Sequence, residues 1–123
     1  LSILATQQFV AVGKDAGGNT VTFTPTWTVV AGGGTIDQNG NFTAGAATGT
    51  FTNTVQASNG GLKGFATVTV TAGPLATITV TPNPATMSIN ATQQFTAVGK
   101  DAAGNVVTIA PTWAVVAGGG AIS

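Results

Sequence analysis

Cysteine, histidine, arginine, glutamate and tyrosine are all absent from this 123-residue chain, and charged residues make up only 5% of it, three Lys and three Asp. Each absence excludes something. Without Cys there is no disulfide framework and no thiolate zinc or redox site. Without His, Cys, Glu, Arg or Tyr, neither a nucleophile–base pair nor a carboxylate pair nor a metal triad can be assembled, so the chain reads as no enzyme and as needing no cofactor. Lys14, Lys63 and Lys100 stand apart and the net charge is zero, so no basic patch exists to neutralise a run of phosphates, and nucleic acid is not an expected partner. No run approaches the roughly 18 apolar residues of a membrane span, and no basic amphipathic face is present to hold a lipid surface, so membrane insertion is not expected either. The chain opens at Leu1 without a charged and then apolar leader, which places any export signal upstream or already removed.

What the sequence has in abundance is Thr, 23 residues, and Gly, 18 residues, the materials of strands and turns rather than helices. An all-β fold is expected, with no helix longer than a turn. Strands are predicted over 76–81, where Ile78 and Val80 alternate with Thr, and over 66–71, where Val68 and Val70 face one way and Thr67, Thr69 and Thr71 the other, each half-buried. Further strands are expected at 7–14 and 93–100, at 21–30 and 106–116 around the two Trp, and at 51–57, where Phe51, Val55 and Ala57 share a face. Turns are expected at 15–19, 38–41 and 58–61, where Asp, Asn and Gly supply the positive φ of tight reversals.

Self-similarity is the strongest feature. Ala5-Thr6-Gln7-Gln8-Phe9 returns as Ala91-Thr92-Gln93-Gln94-Phe95, and Trp27 as Trp113, a period of 86 residues. Aligning residues 1–37 with 87–123 leaves ten mismatches in 37 positions, so 27 are identical. A unit of this length suits a seven-stranded sandwich, and the reading is of tandem immunoglobulin-like antiparallel β-sandwich repeats. Residues 1–73 would form a repeat lacking its first strand, and 74–123 the first half of the next. Half a sandwich leaves an apolar face and open edges, so the expectation is a window on a longer repetitive polypeptide.

The repeat resembles the bacterial Ig-like domains of group 2, the modules strung along invasin- and intimin-type surface proteins. The resemblance is carried by Thr77-Ile78-Thr79-Val80-Thr81-Pro82 with Pro84, Gln94-Phe95-Thr96-Ala97, the turn Lys100-Asp101-Ala102-Ala103-Gly104-Asn105, Trp113 after Pro111-Thr112, Gly40-Asn41-Phe42-Thr43-Ala44-Gly45 and Ala66-Thr67-Val68-Thr69-Val70. It covers essentially the whole chain and implies the fold more than the function, because such modules serve as spacers, adhesive tips and carbohydrate-associated domains alike. The Gly triplet 32–34 departs from the pattern, and reads as a contact point or a loose loop.

Each candidate site has a plainer alternative. Trp27, Trp113, Phe9 and Phe95 are expected in the structural core, as are Phe42 and Phe51, leaving Phe23 and Phe65 as surface aromatics that could stack on a sugar. Asp15 with Asn19, and Asp101 with Asn105, offer oxygen ligands in a turn, but each turn has one carboxylate where calcium takes several, so turn capping is preferred. Gly13-Lys14 and Gly99-Lys100 lack the remaining residues of a phosphate loop. A Lys–Asn isopeptide bond would want a buried acid to move protons, and the only acids sit in turns. Asn41-Phe42-Thr43 and Asn90-Ala91-Thr92 fit the glycosylation acceptor pattern. With ordinary values of about 3.9 for Asp and about 10.4 for Lys, charge should hold between about pH 5 and 9. An uncharged surface favours association of like units, and the short Pro-containing linker 72–75 favours a semi-rigid rod. The expected role is a structural repeat of a secreted or surface-anchored microbial protein, in a stalk or extracellular filament. Its partners would be neighbouring repeats of the same protein, and the alternative is an adhesive or carbohydrate-binding module meeting a surface glycan.

Overall fold

The computed structural model describes residues 1–123. They form eleven β-strands and no helix, gathered into two compact units, Leu1–Gly73 and Pro74–Ser123. All strand pairs are antiparallel, apart from a single parallel bridge between Ser2 and Thr71.

In the first unit, β1 (Thr6–Gln8), β6 (Asn41–Ala44) and β5 (Gly34–Ile36) make one sheet in the order β1-β6-β5. A second sheet, in the order β4-β7-β8, joins β4 (Thr26–Val29), β7 (Gly49–Asn59) and β8 (Leu62–Val70). The two sheets share one core: Phe42 and Ala44 come from the first, and Trp27, Val55, Val68 and Val70 from the second. This arrangement fits a β-sandwich. The alternation read from 66–71 holds, with Val68 and Val70 buried and the three Thr exposed, because period-two side chains on a strand that covers a core must divide inside from outside. Phe9 packs edge-on to Phe42, the ring centroids 6.0 Å apart and the planes at 84°, the arrangement that sets positive ring edge against negative face.

The long hairpin β7–β8 turns at Gly60-Gly61, with Asn59 opposite Leu62. Its register slips between Phe51↔Val68 and Val55↔Ala66, a bulge that holds Asn53 at φ 51°. The bulge turns Thr54 fully inward, where its hydroxyl donates to the carbonyl of Gly32 and accepts from the N–H of Ala31 at 3.3 Å. A buried hydroxyl needs such partners, and this one fastens the Gly-triplet segment to β7.

The predicted strand at 7–14 divides into β1 and β2 (Gly13–Lys14), and that at 21–30 into β3 (Thr20–Val21) and β4. Residues 9–12 and 22–25 lie between them without ladder partners. β2 pairs only with β3, as a two-stranded hairpin.

The second unit holds one sheet in the order β11-β10-β9, built from β9 (Thr77–Thr81), β10 (Thr96–Lys100) and β11 (Val106–Val107). Two expectations are corrected here. The strand at 76–81 is not half-buried: every residue of β9 is exposed, Ile78 at 55% and Val80 at 39%, because no second sheet covers that face. The strand predicted over 106–116 stops at Val107, since 108–116 have no strand beside them to complete their hydrogen bonds.

Candidate functional site

The first unit carries an open groove of about 480 Å³ along one side of its core. Its floor is Trp27, Val55 and Ala57; one wall is the segment Val10–Lys14 with Phe23, and the other is the hairpin end Leu62–Ala66. The lining is mainly apolar, with Lys14, Lys63 and Asn59 at the margins. Phe23 is half-buried and Phe65 is 51% exposed, so the two aromatics singled out as surface candidates line the same concave surface. Phe23 is held there by Gly13: a Cβ at position 13 would stand 2.8 Å from its ring.

Trp27 forms the floor of the groove while remaining only 6% exposed. Gly40 lets it lie there, because a Cβ on Gly40 would come within 2.6 Å of the Phe9 carbonyl and 2.9 Å of the indole. The side-chain amide of Gln38 donates to the Trp27 carbonyl at 3.3 Å. Phe9 is half-buried against the same core. In the second unit Trp113 and Phe95 are each half-buried and belong to no buried cluster, for want of a facing sheet.

The two Asp turns spend their carboxylates on their own backbone. Asp15 Oδ1 accepts from the N–H groups of Gly17 and Asn19, both at 2.9 Å, and the Asn19 side-chain amide reaches both carboxylate oxygens at 3.2 Å. Asp101 repeats this with the N–H groups of Ala103 and Asn105, both at 2.9 Å. The donated hydrogen bonds, that from the Asn19 backbone first, hold the Asp15 carboxyl below its ordinary range. This is the side-chain-closed turn of an Asp at the end of a strand. Asp37 makes the same closure with the N–H groups of Asn39 and Asn41 at 2.9 and 3.0 Å. No three metal-ligating side chains come together.

The Gly triplet is a packed element in the first unit, not a loose loop. Gly33, at φ 93°, lies under the Phe51 ring, where a Cβ would stand 2.6 Å from it. A Cβ on Gly34 would be 2.1 Å from the Thr43 carbonyl. Only glycine allows β5 to come so close to β6.

Sequence reasoning named Phe23 and Phe65 but did not bring them together with Val10–Lys14. The signal was present in the unusual run Phe9-Val10-Ala11-Val12, apolar on both faces where a strand with one solvated face would alternate. Comparison with protein-family models, with curated proteins and with solved structures finds no match for this chain.

Proposed function

We propose that the chain is a structural repeat module of a secreted or surface-anchored microbial protein, part of a stalk or extracellular filament and not an enzyme. The reading is of tandem Ig-like sandwiches with an 86-residue period, similar to the group 2 bacterial Ig-like domains. One observation carries it. The hairpin that pairs Gly13 with Val21 and Lys14 with Thr20 recurs, 86 residues on, pairing Gly99 with Val107 and Lys100 with Val106, closed by the same Asp turn. A chain that builds one hairpin twice from nearly one sequence is organised for length. The uncharged, Thr-rich surface supports close packing of like units, since there is little charge to repel.

Electron microscopy of the native material, with the intact mass of its chain, tests this reading. The expected result is a regular rod or filament whose chain contains many 86-residue periods. A short chain in a dispersed globular protein overturns it.

A second reading, an adhesive or carbohydrate-binding accessory module, has the groove in its favour, because Phe23 and Phe65 line one concave surface. Glycan-array binding lost in Phe65→Ala supports it. An array without signal removes it.

A further inference from the structure

The chain contains two Asn-Gly dipeptides, Asn39-Gly40 and Asn59-Gly60. Glycine has no Cβ to shield its backbone nitrogen or to restrict its dihedrals. That nitrogen can therefore reach the side-chain carbonyl carbon, Cγ, of the Asn before it and close a five-membered ring. Such a closure is fast only where the two atoms are free to come together, and the fold puts the two dipeptides in opposite circumstances.

Asn39-Gly40 is fastened at every polar group of its backbone. The Asn39 N–H donates to Asp37 Oδ1 at 2.9 Å and the Gly40 N–H to the Asp37 carbonyl at 3.1 Å. The Asn39 carbonyl accepts from Gln8 Nε2 at 2.6 Å, and the Gly40 carbonyl from the Phe9 N–H at 2.8 Å. Gly40 is buried against the Trp27 indole. Turning its nitrogen toward the Asn39 side chain would break these bonds and drive the backbone into the core.

Asn59-Gly60 has no such ties. Asn59 ends β7, and Gly60 opens the two-residue loop to β8 at φ 61°, the positive φ that such a loop asks of its first residue. Both residues are exposed, and a Cβ on Gly60 or Gly61 would meet nothing within 4 Å. Neither the Asn59 side-chain amide nor the Gly60 N–H takes part in a hydrogen bond. Only the outermost ladder pair, Asn59↔Leu62, has to open for the peptide unit between Asn59 and Gly60 to rotate, and fraying at a hairpin end costs little.

We propose that Asn59 is a site of spontaneous modification, converting to isoaspartate and aspartate in the folded protein, while the fold protects Asn39. The Gly60 nitrogen loses its proton to solvent and bonds to Asn59 Cγ. The bond from Cγ to the side-chain nitrogen breaks, and that nitrogen takes up a proton and leaves as ammonia. Water then opens the succinimide ring. Cleaving the bond between the ring nitrogen and Cγ gives aspartate, and cleaving the bond to the backbone carbonyl carbon gives isoaspartate, whose main chain runs through Cβ and Cγ. Either product adds a negative charge to a chain of net charge zero, and isoaspartate also lengthens β7 at its closing pair. A surface whose lack of charge lets like units approach thereby acquires charge with age, at a defined hairpin tip. Neither this chemistry nor its test depends on whether the chain belongs to a filament.

The full chain is incubated in mildly alkaline buffer, both folded and in urea, with near-ultraviolet circular dichroism of the indoles checking the folded state. Peptide mapping follows both asparagines, and electron-transfer fragmentation tells isoaspartate from aspartate. In the folded chain Asn59 should react about tenfold or more faster than Asn39, and in urea the two rates should come within about threefold of each other. Gly60→Ala places a Cβ beside the attacking nitrogen and should slow the reaction at position 59 about tenfold in urea, where folding plays no part. Equal rates at the two positions in the folded chain, an Asn59 that reacts only once urea unfolds the chain, or a Gly60→Ala variant that reacts as fast as its parent in urea overturns the proposal.

Discussion

Residues 1–37 and 87–123 are nearly one sequence in two settings, and they do not fold alike. Trp27 is buried in a strand paired with β7, while Trp113 is half-buried in a segment without a strand. Thr96–Lys100 is a full strand, while of Val10–Lys14 only the last two residues are paired. The Gly triplet is wedged under Phe51 in one copy, and in the other nothing lies within 4 Å of where a Cβ would be on any of its three glycines. What differs is the partner. β4 exists because β7 lies beside it, and β10 is long because β9 does. Strand propensity in this chain is therefore permission, and the neighbouring strand is the cause. The hairpin closed by Asp15 or Asp101 is the exception: it forms in both copies in the same register, since everything it needs lies within nine residues, Gly13–Val21 or Gly99–Val107.

Substitutions at matched positions sharpen the comparison. Trp27→Ala is expected to remove about 3–5 kcal/mol from the first unit's stability in urea denaturation, against about 1 kcal/mol or less for Trp113→Ala in the second, because only the first leaves a cavity. Equal losses would mean that the second Trp is also core. Thr54→Val, which has no counterpart in the second unit, should cost about 1–3 kcal/mol by leaving the Gly32 carbonyl and the Ala31 N–H without their partner. Faster amide exchange through residues 31–34 would locate that loss. Gly33→Ala and Gly119→Ala both place a side chain at positive φ, 93° and 92°, at about 1 kcal/mol each. Gly33→Ala should lose a further 1–2 kcal/mol, roughly, by pushing Phe51. The difference between the two variants, read from their denaturation midpoints, isolates the packing from the backbone strain.

The smallest effect is that of pH. Hydrogen bonds lower the Asp15 carboxyl in the folded state, so the stability it contributes is fully present above the unfolded value of about 3.9 and is lost as pH falls through the lower folded value. Thermal unfolding followed from pH 6 to pH 2 should show a slight decline confined to the acid end and reduced in Asp15→Asn. A decline beginning near neutrality would contradict the assignment, since the chain has no histidine or cysteine side chain.

How far the sequence was legible follows the same division. The turns at 15–19, 38–41 and 58–61 could be read because an Asp or Asn side chain, or a Gly at positive φ, decides them locally. The 66–71 strand could be read because its Val and Thr alternate over a covered core. The breaks at 9–12 and 22–25, the bulge that turns Thr54 inward, and the exposure of Ile78 and Val80 could not, since each depends on whether a distant strand arrives. The groove was half legible. Phe23 and Phe65 were named as outward aromatics, but their meeting across 42 residues of chain is a product of tertiary packing.

The duplicated Asp hairpin also sets an order of events. A chain whose residues 1–37 return nearly unchanged at 87–123 invites pairing with the wrong copy. Closing a hairpin between residues a few positions apart takes on the order of 1–10 μs, well ahead of contacts that must span a long loop. Each Lys-Asp turn can therefore commit its inner side to its own neighbour before a distant copy can compete.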